Sequence, residues 1–531
     1  MKFSWRLCVL LVVMPSILAA QQKPHFTDVT ALTEIKLNTK PRPGQPEYGE
    51  QKVHGVAVED FDGDGKLDIL VVCFGEPFVQ LFRNLGGFRF QEVTKDSGLK
   101  SFVGWGTGAA VGDYDRDGKL DVFLTSVEFN RHDNSQAADG RHSRLYQGLG
   151  GGKFRDVTEE SGTKLKVPCR SCAWSDIDGD GWLDLFITCP YSDSILFRND
   201  RDGTFTDVAR QAAVALPDQM SLGCAFGDID GDGLDDLFVT NYDSQFSALL
   251  KNAGGGKFRD ITKAAGLIRK ASSVGCVFAD VYNRGRLDLY ETTDSWLSGA
   301  NSTEQQLLAQ GHAVEPNLLY ENDGHGRFRA DTAKILHHKT LSHDAILEDL
   351  DHDGWLDIYV GVDAIPTGNR FATHKGGNPL WTRDDGKTWS QVRKSWGVGF
   401  EANCVCVPAA DFDNDGDLDL LLINFYKNIV MYQNNTNDKN WLKVKPVGVK
   451  SNLDGVGAWV RVYEKQRLIG TRHIQSAAGY GRSSPLEAHF GLGRSPAKEH
   501  RVEVFFPATN TTIVRQHVEP AQRIVVREDE K

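Results

Sequence analysis

Residues Asp60 to Asp68 read DFDGDGKLD, with carboxylates at positions 1, 3, 5 and 9 and glycine at position 6. The stretch recurs in register from Asp113 (DYDRDGKLD), Asp176 (DIDGDGWLD), Asp228 (DIDGDGLDD), Asp349 (DLDHDGWLD) and Asp411 (DFDNDGDLD). A seventh copy, DVYNRGRLD from Asp280, keeps both ends and the glycine but loses the middle acids. Alternate acids in a tight turn point their oxygens at one centre. Four carboxylates that close repel one another unless a cation sits among them, and hard oxygen ligands in a flexible loop suit Ca2+. Glycine at position 6 accepts the sharp bend at the least steric cost.

The start of the loop matches the EF-hand calcium pattern, but its end does not. Position 12 of the first copy is Val71, where that pattern has a bidentate glutamate. The flanks, GVAVED before and LDILVV after, alternate or run apolar as strands do. The loop is therefore read as a β-hairpin connection closed at position 9. An acidic surface turn without metal is the plainer reading of one copy; six copies in register argue against it. The candidate ligands are Asp60, Asp62, Asp64 and Asp68; Asp113, Asp115, Asp117 and Asp121; and Asp176, Asp178, Asp180 and Asp184. The other three loops supply Asp228, Asp230, Asp232 and Asp236; Asp349, Asp351, Asp353 and Asp357; and Asp411, Asp413, Asp415 and Asp419. About six Ca2+ are expected. In the Asp280 copy, Arg284 is placed to reach Asp280 and Asp288 and to replace the cation with an ion pair.

Two further signatures accompany the loops. FTDVT at Phe26, FQEVT at Phe90, FRDVT at Phe154, FTDVA at Phe205, FRDIT at Phe258 and FRADT at Phe328 recur, with WSQV at Trp389 a weaker seventh. LFRN at Leu81 and Leu196, LLKN at Leu249 and LYEN at Leu319 lie between loop and Phe signature. Each unit reads as four strands joined by Gly-rich turns. Repeats of this kind predict an all-β, seven-bladed β-propeller. The first Phe signature precedes every loop and none follows the last unit, so residues 25–30 are expected to close the last blade and remove its open edge. Strand parity puts the acidic loops on one face. The long insertions, near residues 128–143, 294–315 and 363–377, fall on the other, where recognition usually resides.

Past residue 438 the signatures stop, and residues 439–531 read as short strands of a β-sandwich-like domain. Residues 1–20 carry Lys2 and Arg6, an apolar run and then small residues, as a signal peptide does, and predict a secreted or periplasmic protein. No later stretch is long enough to span a bilayer. Formal charge is −12, and no basic stripe suggests a nucleic acid partner. Of the nine cysteines, Cys169 and Cys172 form a CRSC pair that is either a disulfide or two buried thiols. Cys172, Cys224 and Cys276 each precede a loop by four residues and read as buried small side chains.

The DxDxDG array resembles the FG-GAP/VCBS repeats of integrin α-subunit propellers. SNLDGVGAWVRVY from Ser451, with SAAGYGRSSPLEAHFGLG after it, resembles the ASPIC and UnbV domain. Together they resemble secreted bacterial relatives of cartilage acidic protein. The resemblance implies calcium on the four acids of each intact loop and an extracellular binding or adhesion role toward a protein or glycan. An extracellular polysaccharide hydrolase or lyase, with its site at the propeller mouth, is the alternative. No nucleophile elbow, HExxH, phosphate loop or dinucleotide fingerprint occurs, so the balance falls against an enzyme, and no catalytic residue is assigned. His337, His338 and His343, in one connection, read as exposed loop histidines.

Overall fold

In the computed structural model, residues 26–37, 53–127, 142–294, 315–337, 342–362, 377–384, 386–399, 404–424 and 428–530 are described. The signal-like segment and most of the three long insertions fall outside them.

Among the described residues, seven antiparallel sheets of four strand positions share one plan. In the first, Val53–Glu59 pairs with Asp68–Cys73, which pairs with Val79–Asn84, which pairs with Phe90–Glu92. The acidic loop is the turn between the first two strands, so Glu59 and Asp68 stand opposite each other. Five more sheets repeat this order within residues 106–156, 172–207, 221–260, 273–330 and 342–391. In the seventh, Cys404–Cys406 and Ala409–Ala410 together supply the first strand, and Asp419–Asn424 and Val430–Asn434 follow. Its fourth position is taken by Phe26–Asp28, with Phe26 opposite Asn434 and Asp28 opposite Tyr432.

The first strand of each sheet contacts that of the next, and Val53–Glu59 contacts Cys404–Cys406, so the series returns to its start. First and second strands are buried on both faces, which is why VHGVAVE and DILVVC run nearly continuously apolar. The core lies in layers between neighbouring sheets. Phe123, Tyr114 and Trp174 pack between the second and third, and Val56, Val71, Phe412 and Leu421 between the first and seventh. Fully buried Trp174 stacks on Tyr114 at 6.2 Å between ring centroids.

Residues 441–527 form two sheets. One joins Trp441–Val447, Ala488–Gly491 and Gln522–Arg527; the other joins Trp459–Glu464, Arg467–His473, His500–Phe506 and Thr511–Val518. Their core of Leu442, Val444, Val460, Val504 and Phe490 continues into the third sheet of the ring. This domain sits on the acidic-loop side. Arg116 donates to the carbonyls of Val449 and Lys450 at 2.6 and 3.0 Å, His473 lies 3.0 Å from Asp235, and His489 meets the Gly416 carbonyl at 2.8 Å.

From there the segment Gln475–Arg482 enters the ring and touches the first strand of all seven sheets. Val56 N–H donates to Gly481 O at 3.1 Å, and Arg482–Ser483 pairs in parallel with Val56–Ala57. Gly108 lies against Gly481, so a Cβ there would come within 3.0 Å of the Gly481 Cα. The Ser476 hydroxyl accepts from Trp174 N–H at 2.7 Å. A Cβ on Gly223 would stand 2.7 Å from Gly479 O, so only glycine allows that approach. Gly479 N–H donates to Cys276 O at 2.7 Å, Arg482 pairs with Asp344 at 2.8 Å, and the Cys406 thiol donates to Tyr480 O at 3.1 Å. A strand-sized piece of the C-terminal domain therefore fills the axis of the ring.

Candidate metal centre

Each acidic loop is folded by its own carboxylates. The position-1 acid accepts the backbone N–H groups of positions 5 and 6: Asp60 takes Asp64 and Gly65 at 3.0 and 2.9 Å, and Asp176 takes Asp180 and Gly181 at 2.9 and 2.8 Å. The position-9 acid accepts the position-2 N–H with one oxygen and a third-strand N–H with the other. Asp68 takes Phe61 at 3.2 Å and Asn84 at 2.8 Å, and Asp184 takes Ile177 at 3.1 Å and Asn199 at 2.8 Å. Positions 1 and 9 thus carry structural hydrogen bonds that hold the turn. The degenerate loop keeps these bonds: Asp280 accepts Arg284 and Gly285 N–H at 2.7 and 2.6 Å, and Asp288 accepts Val281 at 3.2 Å. This explains why DVYNRGRLD retains its ends.

Oxygens of positions 1, 3 and 9 lie within 4.8 Å of one another in the loops of Asp60, Asp113, Asp176 and Asp228. In the Asp349 loop the gathered acids are Asp349, Asp351 and Asp353. These groups could hold metal ions. Asp178 Oδ1, Asp230 Oδ1 and Asp413 Oδ1, all at position 3, are buried and make no hydrogen bond. A buried carboxylate oxygen left bare is costly, and a cation held in the loop would satisfy it. Burial pushes Asp68 up to about 7, Asp236 to about 8 and Asp121 to about 9, and the other acids of each loop push the same way.

Basic side chains pair with acids at position 3, Arg83 with Asp62 and Lys251 with Asp230, and at position 5 as well. Asp64 is held by Lys66 at 2.8 Å, Asp117 by Lys119 at 2.6 Å and Asp180 by Arg201 at 2.5 Å. They sit at the outer edge of the loop and are shared with basic neighbours. The C-terminal domain adds cations of its own: Lys443 pairs with Asp411, and Arg494 lies 3.8 and 3.9 Å from Asp351 and Asp353.

In the Asp280 loop the Arg284 guanidinium pairs with Asp288 at 2.7 Å and with Glu321 at 3.0 Å, and lies over the Tyr282 ring at 4.4 Å. It reaches Asp280 only through its backbone N–H, so Glu321 from the third strand takes the place expected for Asp280.

Sequence reading missed the asparagine that ends LFRN. Asn199 Nδ2 donates to Leu183 O of its own loop at 3.1 Å and to Tyr114 O of the preceding loop at 2.9 Å. Asn84 bridges to Phe412 O, Asn252 to Ile177 O, Asn322 to Ile229 O and Asn434 to Leu350 O in the same way. Arg383 takes the role in the sixth sheet by donating to Val281 O. The recurrence of Asn at the strand end was the available signal.

His343 is not in a loop. It is the second residue of the strand Ser342–Glu348, and burial lowers its pKa to about 4. His337 contacts the Asp331 carbonyl at 3.0 Å, and His338 lies outside the described residues. Near the far end of the axis, Tyr480 accepts from Arg170 at 3.1 Å, with the rings of His54 and His343 at 6.3 and 6.0 Å. Tyr480 and His54 are buried, so this cluster is packed into the axis among the described residues.

The FG-GAP-like repeat family matches residues 60–124, 176–239 and 228–291, and the ASPIC and UnbV family matches residues 448–531. Mouse cartilage acidic protein 1 is 24% identical over 526 residues, covering 91% of this chain and 74% of its own. The human protein is 24% identical over 476 residues, covering 85% of this chain and 60% of its own. Among solved structures, the SapL1 lectin in complex with alpha methyl fucoside aligns with a TM-score of 0.36 and 11% identity, over 64% of this chain and 96% of that one.

Proposed function

We propose that this chain of FG-GAP-like repeats with an ASPIC and UnbV domain is an extracellular, calcium-stabilised seven-bladed propeller that binds a protein or glycan. Six Ca2+ sit in the intact loops, held chiefly by positions 1, 3 and 9 with position 5 on the outer side, and in the Asp349 loop by positions 1, 3 and 5. Each ion neutralises acids that burial would otherwise protonate and adds folding free energy to its hairpin. The Asp280 loop holds none: it lacks the middle acids, and Arg284 supplies positive charge beside Asp288.

The observation that carries the binding reading is the filled axis. Gln475–Arg482 occupies the channel and the C-terminal domain covers the acidic-loop side; the cavity between them, lined by Phe278, Glu348, Arg472 and Arg482, is about 100 Å³, less than the roughly 300 Å³ or more of a usual ligand pocket. Recognition then belongs to the opposite rim, where the insertions near residues 128–143, 294–315 and 363–377 emerge.

Thermal unfolding with and without EDTA, followed by a binding screen against immobilised glycans and extracellular matrix proteins in Ca2+, tests the proposal. Chelation should lower Tm, and replacing residues 363–377 with a Gly-Ser linker should reduce binding while the calcium-dependent Tm stays. A Tm indifferent to EDTA sinks the metal account, and polysaccharide cleavage in the screen sinks the binding account.

A further inference from the structure

We infer that Cys169 and Cys189 form a cross-strand disulfide in the third sheet when the chain folds under oxidising conditions. The argument rests on register. In six sheets a bulge interrupts the first strand, and the residue before the bulge is the Cα partner of the residue twenty positions on: Val53 with Cys73, Gly106 with Ser126, Ser221 with Asn241, Ser273 with Thr293, Ser342 with Val362, and Cys404 with Asn424. The same interval in the third sheet separates Cys169 from Cys189, which lie just beyond the paired strands Cys172–Ser175 and Asp184–Ile187. There the bulge is formed by Arg170 and Ser171, which share Thr188: Arg170 N–H donates to Thr188 O at 2.9 Å, and Thr188 N–H donates to Ser171 O at 3.0 Å.

The two cysteines do not hydrogen-bond to each other through the backbone. Cys169 N–H goes to Ser126 O, and Cys189 N–H goes to the Ser194 hydroxyl. A non-hydrogen-bonded antiparallel pair brings its Cα atoms to about 4.5 Å, inside the range a disulfide spans. The sulfurs are already 3.7 Å apart, and both residues are fully buried. Cys172, the neighbour in CRSC, instead points its sulfur at Phe123 O, 3.8 Å away, on the far side of the bulge.

The chemistry is thiol–disulfide exchange with an external disulfide, small-molecule or protein-borne. One thiolate attacks it and releases a thiol. The second thiolate then attacks the mixed disulfide, the Cys169–Cys189 bond forms, and a second thiol leaves. The two electrons lost by the cysteines reduce the external disulfide, and their two protons pass to the released thiols. Both sulfurs are buried in the finished fold, so exchange takes place while the strand pair is still opening and closing. That this occurs in the cell rests on the extracellular reading above; the geometry does not.

The test is to unfold the purified full-length chain, refold it in Ca2+ with a mixture of reduced and oxidised glutathione, denature it in N-ethylmaleimide without reductant, digest it and map the peptides by mass spectrometry. The expected result is a peptide pair joined through Cys169 and Cys189, with the other cysteines alkylated. Cys169→Ser and Cys189→Ser should each lower the Tm of oxidised protein, and the double variant should lower it no further. Alkylation of both Cys169 and Cys189 in full, or a bond between Cys169 and Cys172, overturns the inference. Protein exported by a host is mapped separately. Finding the bond on refolding but free thiols after export counts against the extracellular reading and leaves the strand geometry supported.

Discussion

Replacing Arg482 by methionine should detach the C-terminal domain from the axis of the ring. Arg482 and Asp344 are 5% and 0% exposed, and their Nε–Oδ2 distance is 2.8 Å. Arg482 also donates to Ala345 O at 3.0 Å. Without the guanidinium, Asp344 keeps backbone partners such as the Val407 N–H at 3.0 Å but loses its counter-charge. Removing one partner of a buried pair costs about 3–5 kcal/mol, because the remaining charge has no water to return to.

The loss should depend on pH. Burial already raises the Asp344 carboxyl above its ordinary value, and Arg482 pulls it back. Without Arg482 it rises further, so the folded state holds that proton more firmly than the unfolded state. Stability from this group then falls as pH increases from its unfolded toward its folded pKa, and the variant should be more strongly destabilised at pH 8 than at pH 5. Urea unfolding in saturating Ca2+, with hydrogen exchange across residues 475–485, reads both effects. Adding Asp344→Asn should recover about 2 kcal/mol, since the stranded charge is gone. The reasoning fails if Arg482→Met stays within about 1 kcal/mol of the wild type, or if the double variant is as weak as the sum of the singles.

Asn199→Ala strips two buried carbonyls, those of Tyr114 and Leu183, of their donor and should cost about 2–4 kcal/mol in urea unfolding; a change within experimental error would remove the inter-sheet bridge from the account. Deleting residues 26–30 exposes the edge at Val430–Asn434 and leaves Trp396 without Phe26, 6.4 Å away between centroids, so Tm should drop by several degrees or more. An unchanged melting curve would mean that the ring does not need this strand. Mass analysis of the calcium-loaded chain should count six ions, five in Asp178→Ala, and still six in Arg284→Met, because the Asp280 loop lacks the middle acids; seven in the wild type would contradict the ion-pair substitution.

The repeat and the strand content were legible because both are written locally. A nonapeptide with acids at fixed offsets and glycine at the bend specifies a hairpin wherever it occurs, and the flanking apolar runs specify buried strands. The double role of positions 1 and 9 was half visible: the survival of Asp280 and Asp288 without their companions pointed to a duty other than metal binding, and their backbone bonds are that duty. What stayed hidden is what depends on distant pairings. SAAGYGR carries no local sign that it runs along an axis, since its partners are spread from His54 to Cys406. The facing of Cys169 and Cys189 depends on a bulge, and a one-residue shift in register changes which side chains meet. His343 was misplaced for a similar reason: the strand begins at Ser342, before the apolar run that announces it.

The filled axis also constrains the order of biosynthesis. The ring needs Phe26–Asp28 beside Val430–Asn434, and its centre needs Gln475–Arg482. A nascent chain emerging amino end first can form hairpins and single sheets early, yet it cannot complete its interior until residue 482 has left the ribosome. Until then the inner strands face an empty bore. A premature stop anywhere before that point should leave a product prone to aggregation and degradation, even when every acidic loop upstream has been made.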